Sequence, residues 1–213
     1  MRASCATWKV LSADEQELQE LHICNVPCEY PRGAIGMAQT VWTIGHSNHA
    51  IEVLLELLAG QSIELVADVR RFPASRAHPQ FNQDKLAESL QEAGIDYQHS
   101  PEMGGRRKER LADSPNTAWR VEAFNAYADH LQTAEFQAAW QRLVAIAAER
   151  RVAIMCAEAL PWQCHRRLIA DLFIASGWTV WDIMPTGKTR PHELPPFAKT
   201  VAGNVTYPSP TLF

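Results

Sequence analysis

Between residues 40 and 184 short β-rich apolar runs alternate with stretches of helical spacing, and few architectures accommodate that pattern. "TVWTIG" (40–45) reads as a strand and "HAIEVLLELLAG" (49–60) as a helix stopped by glycine. "IELVADV" (63–69) reads as a second strand and 82–94 as a helix with Asn82 as cap and Gly94 as stop. A third strand is expected at 95–100, helices near 117–131 and at 134–149 (Thr133 as cap), and a fourth strand at 151–157. A helix over 162–177 and a fifth strand at 178–184 complete the series. The alternation predicts an α/β three-layer sandwich, Rossmann-like, with a mainly parallel sheet of about five strands.

The ends of the chain break the pattern. Residues 1–36 hold one short amphipathic stretch near 12–22 and a Cys/Pro/Gly segment, and read as an extension ahead of Met37 or as a start placed too far upstream. Residues 185–213, rich in Pro, Thr and Gly, are expected to run over the surface as a tail. No window approaches 18 consecutive apolar residues, so no membrane span is expected. The N-terminus lacks the apolar core of a secretory signal, which makes the cytoplasm the default location and the five cysteines reduced thiols. A net charge of −4 disfavours a nucleic-acid coat, although the arginines are clustered enough to build a local basic pocket.

In an open parallel sheet, ligands bind beyond the carboxyl ends of the strands. The residues that follow each expected strand are therefore informative. The first strand leads to Gly45, His46, Ser47 and Asn48, and the second to Asp68, Arg70 and Arg71, with Arg76 further on. The third leads to His99, Glu102, Gly104, Gly105 and Arg106, and the fourth to Cys156, Glu158, Cys164, His165 and Arg166. All four are polar and ionisable, so the four loops are expected to converge on one pocket.

Cys164 falls where a helix is expected to begin, and free N–H groups and adjacent arginines favour a thiolate there. It is the candidate nucleophile, with Cys156 as partner or redox pair. His46 and His165 are candidates for moving protons, and Glu158 and Glu102 for orienting them. Gly45, Ser47, Asn48, Asp68, Arg70, Arg76, Gly104, Gly105, Arg106 and Arg166 are the candidate ligand-binding residues, and a small anionic ligand suits the arginines. "PEMGGRRKER" (101–110) reads as a glycine-hinged basic flap. Zinc competes for Cys156, Cys164, His165 and His46. However, C-x7-C-H is not a standard zinc spacing, and neighbouring Cys164 and His165 would leave a helix in different directions, so no metal is assigned. His22, Cys24 and Cys28 form a second, weaker metal pattern. Trp119, Phe124 and Tyr127 are expected in the core. No phosphate-binding glycine motif appears, and the cofactor stays unknown.

Taken together, "TIGHSN" (43–48), "ADVRRFPASR" (67–76), "HPQFN" (78–82), "HSPEMGGRR" (99–107) and "VAIMCAEALPWQCHRRLIADLF" (152–173) resemble the successive signatures of the domain of unknown function 488 family, over about residues 40–184. The match carries over His46, Ser47, Asp68, Arg70, Pro73, Arg76, Phe81, Glu102, Gly104, Gly105, Cys156, Glu158, Cys164, His165 and Arg166. The chain departs from the family pattern in its N-terminal extension and in "ALPW", where relatives are more polar. The resemblance implies a compact α/β domain and names no activity. Three readings stay open: an enzyme acting on a small anionic or nucleotide-like ligand, a non-catalytic anion- or metal-binding module, and an enzyme acting on nucleic-acid bases.

Overall fold

The computed structural model describes residues 39–210, which form an α/β fold; the expected extension at 1–36, its amphipathic stretch and the His22/Cys24/Cys28 pattern lie outside the described residues. The elements in chain order are β1 (Thr40–Gly45), α1 (Ile51–Ala59), β2 (Leu65–Asp68), α2 (Gln83–Glu92) and β3 (Asp96–His99). They continue with α3 (Glu122–His130), α4 (Ala134–Glu149), β4 (Val152–Cys156), α5 (Arg166–Ala175) and β5 (Thr179–Ile183), then β6 (Thr189–Pro191), β7 (Lys199–Val201) and β8 (Asn204–Thr206). The main sheet has six strands in the order β3-β2-β4-β1-β5-β6. The first five are parallel and β6 pairs antiparallel to β5 at the edge.

Two features depart from the sequence reading. The strand order is not the usual doubly wound one, because β4 inserts between β2 and β1. In addition, the sheet gains a sixth strand from the segment expected to be a surface tail.

The central strands are buried on both sides, which explains their continuous apolar character. Successive residues point to opposite faces, so Trp42, Ile44, Ala153 and Met155 join one apolar cluster with Leu54 and Leu58 of α1 and Leu86 and Leu90 of α2. Val41, Val152, Ile154 and Val180 join the other cluster, with Tyr127 of α3, Trp140 of α4 and Leu168 and Phe173 of α5. Helices thus cover both faces.

Local signals explain only some of the helix ends. Thr133 accepts from Phe136 N at the start of α4, and Gly94 ends the α2 segment at φ +73°. Asn82 stands at the N-cap position of α2, but its side chain accepts from Ser75 N at 2.6 Å and pins the preceding loop instead. The helix expected from about 117 begins at Glu122. The N–H groups of Thr117 and Ala118 are committed to the carbonyl of Tyr207, which holds that stretch out of a helix.

That pairing belongs to the C-terminal segment, which is part of the core. The β7–β8 hairpin turns through Ala202 and Gly203, both at positive φ, as a type I′ hairpin turn requires. It delivers Val205 and Tyr207, both fully buried, into the cluster against α3, α4 and α5. Upstream, His192 lies between two buried carboxylates, with Nε2 2.9 Å from Asp171 and Nδ1 3.0 Å from Asp182. Tyr207 donates to Asp171, and Thr43 of β1 donates to Asp182. Only an imidazolium can donate from both nitrogens, so this histidine is charged.

Burial opposes that charge, but the bonds to Asp171 and Asp182 outweigh it and raise the His192 pKa from 6.5 to about 9. The folded protein therefore holds this proton more tightly than the unfolded chain. The stabilisation is fully present below pH 6.5 and fades as the pH rises towards 9, a change of roughly 3 kcal/mol for one such group. Thermal unfolding should show a midpoint that declines between these pH values. His192→Gln should unfold at a lower midpoint in acid and lose most of that slope; an unchanged slope would mean that the proton does not link the tail to the sheet.

Candidate functional site

Parallel register brings the carboxyl ends of β1, β2, β3 and β4 to one level, with Gly45 opposite Cys156 and Asp68 opposite both Met155 and His99. Beyond them lies a cavity of about 310 Å³. Arg70, Arg71 and Phe72 come to it from the loop after β2, Gly105 and Arg106 from the 101–110 segment, and Phe124 and Tyr127 from α3. The loop after β4 supplies Cys156, Glu158, Gln163, Cys164 and His165. Three arginines and one glutamate line it, so its field favours anions.

At its floor the two cysteines and the histidine converge. His165 Nδ1 lies 3.8 Å from Cys156 Sγ and 3.7 Å from Cys164 Sγ. The opposite ring nitrogen, Nε2, donates to the Val69 carbonyl at 3.0 Å, which leaves Nδ1 facing the two sulfurs. The Tyr127 ring packs edge-on at 5.0 Å and holds the imidazole in place. Cys164 does not stand in the first turn of α5. It is extended and two residues upstream, and its sulfur accepts from Arg166 N at 3.5 Å. Because Cys164 and His165 precede the helix rather than lie on it, their side chains converge, contrary to the divergence expected on a helix surface.

The two thiols share their proton unequally. The hydrogen bond with Cys164, together with burial, pushes the Cys156 thiol up. Burial would do the same to Cys164, but the bond from Cys156 and the nearby His165 and Arg166 hold it well below the usual thiol range.

Arg70 and Asp68 form a buried pair behind the arginine wall. Arg70 Nε and Nη2 lie 2.9 and 2.6 Å from the Asp68 oxygens, and Asp68 also accepts from Tyr97 of β3 at 2.7 Å. Arg70 Nη1 donates to the Phe81 carbonyl and to His46 Nε2. Four of the five guanidinium N–H groups are thus committed, so Arg70 has little left for a ligand. His46 donates from Nδ1 to the Ser47 carbonyl, and its ring stacks on Phe81 at 4.1 Å, against the α1/α2 side. Burial, followed by the Arg70 charge, lowers its pKa to about 4, so it is neutral and acts as an acceptor that orients Arg70.

Other residues singled out from the sequence fall outside the cavity. The Glu102 carboxylate pairs with Arg142 of α4 at 3.0 Å, Ser47 bonds Asn48, and Arg76 is exposed. Arg166 is fully buried and donates to the Glu158 and Ala159 carbonyls, so it shapes the loop. Gly45 allows that loop to pass, since a Cβ there would lie 1.9 Å from the Glu158 oxygen.

The flap is tied down rather than loose. Arg107 donates to the Gly104 and Glu102 carbonyls, and Arg110 bonds Asp129, which also fixes Leu111, Ser114 and Asn116. Arg106 stays exposed at φ +62° and, with Arg71, also lines an adjoining basic cavity of about 440 Å³. Arg71 was read from the sequence among the residues that end the second strand, whereas Phe72 and Tyr127 were absent from the site candidates. Phe72 carries a faint signal as the next residue after "ADVRR", but Tyr127 looks like any core aromatic.

The buried pair generates a stability prediction. Asp68→Asn leaves the Arg70 charge without its counterion and should cost about 3–5 kcal/mol. Urea unfolding checks this as a lower midpoint at unchanged slope. A loss below about 1 kcal/mol, no more than an exposed pair is worth, would show the pair to be dispensable.

The family comparison agrees with the motifs. A family model described as "Domain of unknown function DUF488" matches residues 50–173, more than half of the chain. No curated protein and no solved structure matches. By the extent of that match, this chain belongs to the DUF488 family.

Proposed function

We propose that this protein is an enzyme acting on a small anionic ligand, with Cys156, Cys164 and His165 at the reacting end of the cavity and Arg71 and Arg106 holding the negative charge. The observation that carries the reading is the convergence of two sulfurs and one oriented imidazole nitrogen at the floor of a cavity with three arginines in its walls. A purely structural cluster has no need of exposed cations around its opening, or of a non-glycine residue held in the left-handed region. That conformation costs about 1–3 kcal/mol and persists only where surrounding structure maintains it, typically at binding and catalytic sites. Arg106 is one of five such residues among those described, and the one that lines the cavity.

The division of labour follows from the bonding. Arg70, saturated by Asp68, Phe81 and His46, sets the position of the loop that carries Arg71. Arg71 and Arg106 are the exposed arginines in the cavity wall, and Arg71 Nη1 reaches the Arg106 carbonyl at 3.5 Å, which keeps the two side by side. His165, with its Nε2 proton committed to Val69, accepts or returns a proton only through Nδ1.

Titration of the full chain with inorganic phosphate, followed by calorimetry or amide chemical shifts, tests the anion half of the reading. Charge-assisted contacts contribute about 1.5–3 kcal/mol each, so Arg106→Ala or Arg71→Ala should weaken binding roughly 10- to 100-fold. Arg76→Ala, exposed and outside the cavity, should bind as the wild type does. The reading fails if phosphate does not saturate the protein, or if Arg76→Ala loses as much affinity as Arg106→Ala.

A further inference from the structure

We infer that Cys156, Cys164 and His165 bind a divalent zinc-type ion whose fourth coordination position opens into the cavity. This inference rests on the reading of that cavity as the reaction site and deepens it by naming the cofactor. The ligand atoms, Cys156 Sγ, Cys164 Sγ and His165 Nδ1, lie within 4.8 Å of one another. Zinc–sulfur and zinc–nitrogen bonds of about 2.3 and 2.0–2.1 Å at tetrahedral angles place sulfur and nitrogen about 3.6 Å apart. The observed separations are 3.7 and 3.8 Å.

Hydrogen bonding alone accounts poorly for this arrangement. Nδ1 makes one hydrogen bond, as donor or as acceptor, yet two sulfurs stand at almost equal distances from it. A single ion at the centre of the triangle satisfies all three atoms at once. Its two positive charges also neutralise two thiolates that are almost completely shielded from water.

Three further features fit. His165 donates its other nitrogen to a backbone carbonyl, the second partner that metal-binding histidines usually have. Two sulfurs and one imidazole match the softness that zinc accepts, and three protein ligands with an open position mark catalytic rather than structural zinc sites. Finally, the backbone leaves room in front of the nitrogen. A Cβ on Gly105 would lie 2.7 Å from Nδ1, so only glycine keeps that space clear. The cavity lies over the open side, where a water molecule or an oxygen of the anionic ligand completes the coordination.

The test uses the full chain. Metal analysis of protein purified without chelator should find about one zinc per chain. After stripping with a chelator, added cobalt(II) should produce a sulfur-to-cobalt charge-transfer band. Cys164→Ser and Cys156→Ser should lose the band, with folding checked by circular dichroism, and Gly105→Ala should weaken cobalt binding at least 10-fold. If the serine variants fail to fold, zinc titration of stripped wild-type protein against a chromophoric chelator still decides the question.

The inference is overturned if stripped wild-type protein takes up no cobalt, or if the band persists in Cys164→Ser. It is also overturned if the band disappears on replacing Cys24 and Cys28, because the ion would then belong to the N-terminal segment. Rapid iodoacetamide labelling of Cys164 that zinc does not slow would identify a free thiol nucleophile and likewise overturn it. Phosphate binding that survives while metal binding fails would remove the ion and leave the proposed function standing.

Discussion

The Asp68–Arg70 ion pair holds the strand ends in the arrangement on which the site depends. Both side chains are removed from water, and neither charge is tolerable there without the other. The cost of that burial is offset by a full set of hydrogen bonds: Tyr97 from β3 on the carboxylate, His46 from beyond β1 and the Phe81 carbonyl on the guanidinium. One pair thereby joins three neighbouring chain segments. It also fixes the turn after β2, so that Val69 offers its carbonyl to His165 and Arg71 projects into the cavity.

A second buried charge network supports the same sheet from the other edge. His192 sits between Asp171 of α5 and Asp182 of β5, and Tyr207 reaches the same Asp171. The segment that supplies His192 and Tyr207 therefore clamps α5, whose preceding loop carries Cys164 and His165. The two networks lie on different parts of the fold, yet both bear on the position of the sulfur–imidazole cluster. Its precision comes from buried polar groups as well as from apolar packing.

How much could be read from the chain follows from the range of each signal. The parallel α/β arrangement was legible because strand and helix periods are local, and because β1 and β4 are apolar on both faces. Cys156, Cys164, His165, Gly105 and Arg106 were legible as site candidates because they follow strands, and strand ends carry sites in such sheets. Asn82 and the start of α3 were misread for one reason: a partner seven or ninety residues away took the group that the local rule had assigned. Glu102 and Arg166 belong with them, since a pairing on α4 and two loop carbonyls decide where those side chains point.

The sequence by itself determined which chemistry is present and at which strand ends it lies, because residue type and period are properties of the chain. The tertiary structure alone decided the insertion of β4 between β2 and β1, the burial of the C-terminal segment, and which ionised groups pair with one another. It also decided that adjacent Cys164 and His165 face the same point, since both precede α5 rather than ride on it. These outcomes depend on contacts between residues far apart in sequence, and a period or a spacing carries no record of such contacts.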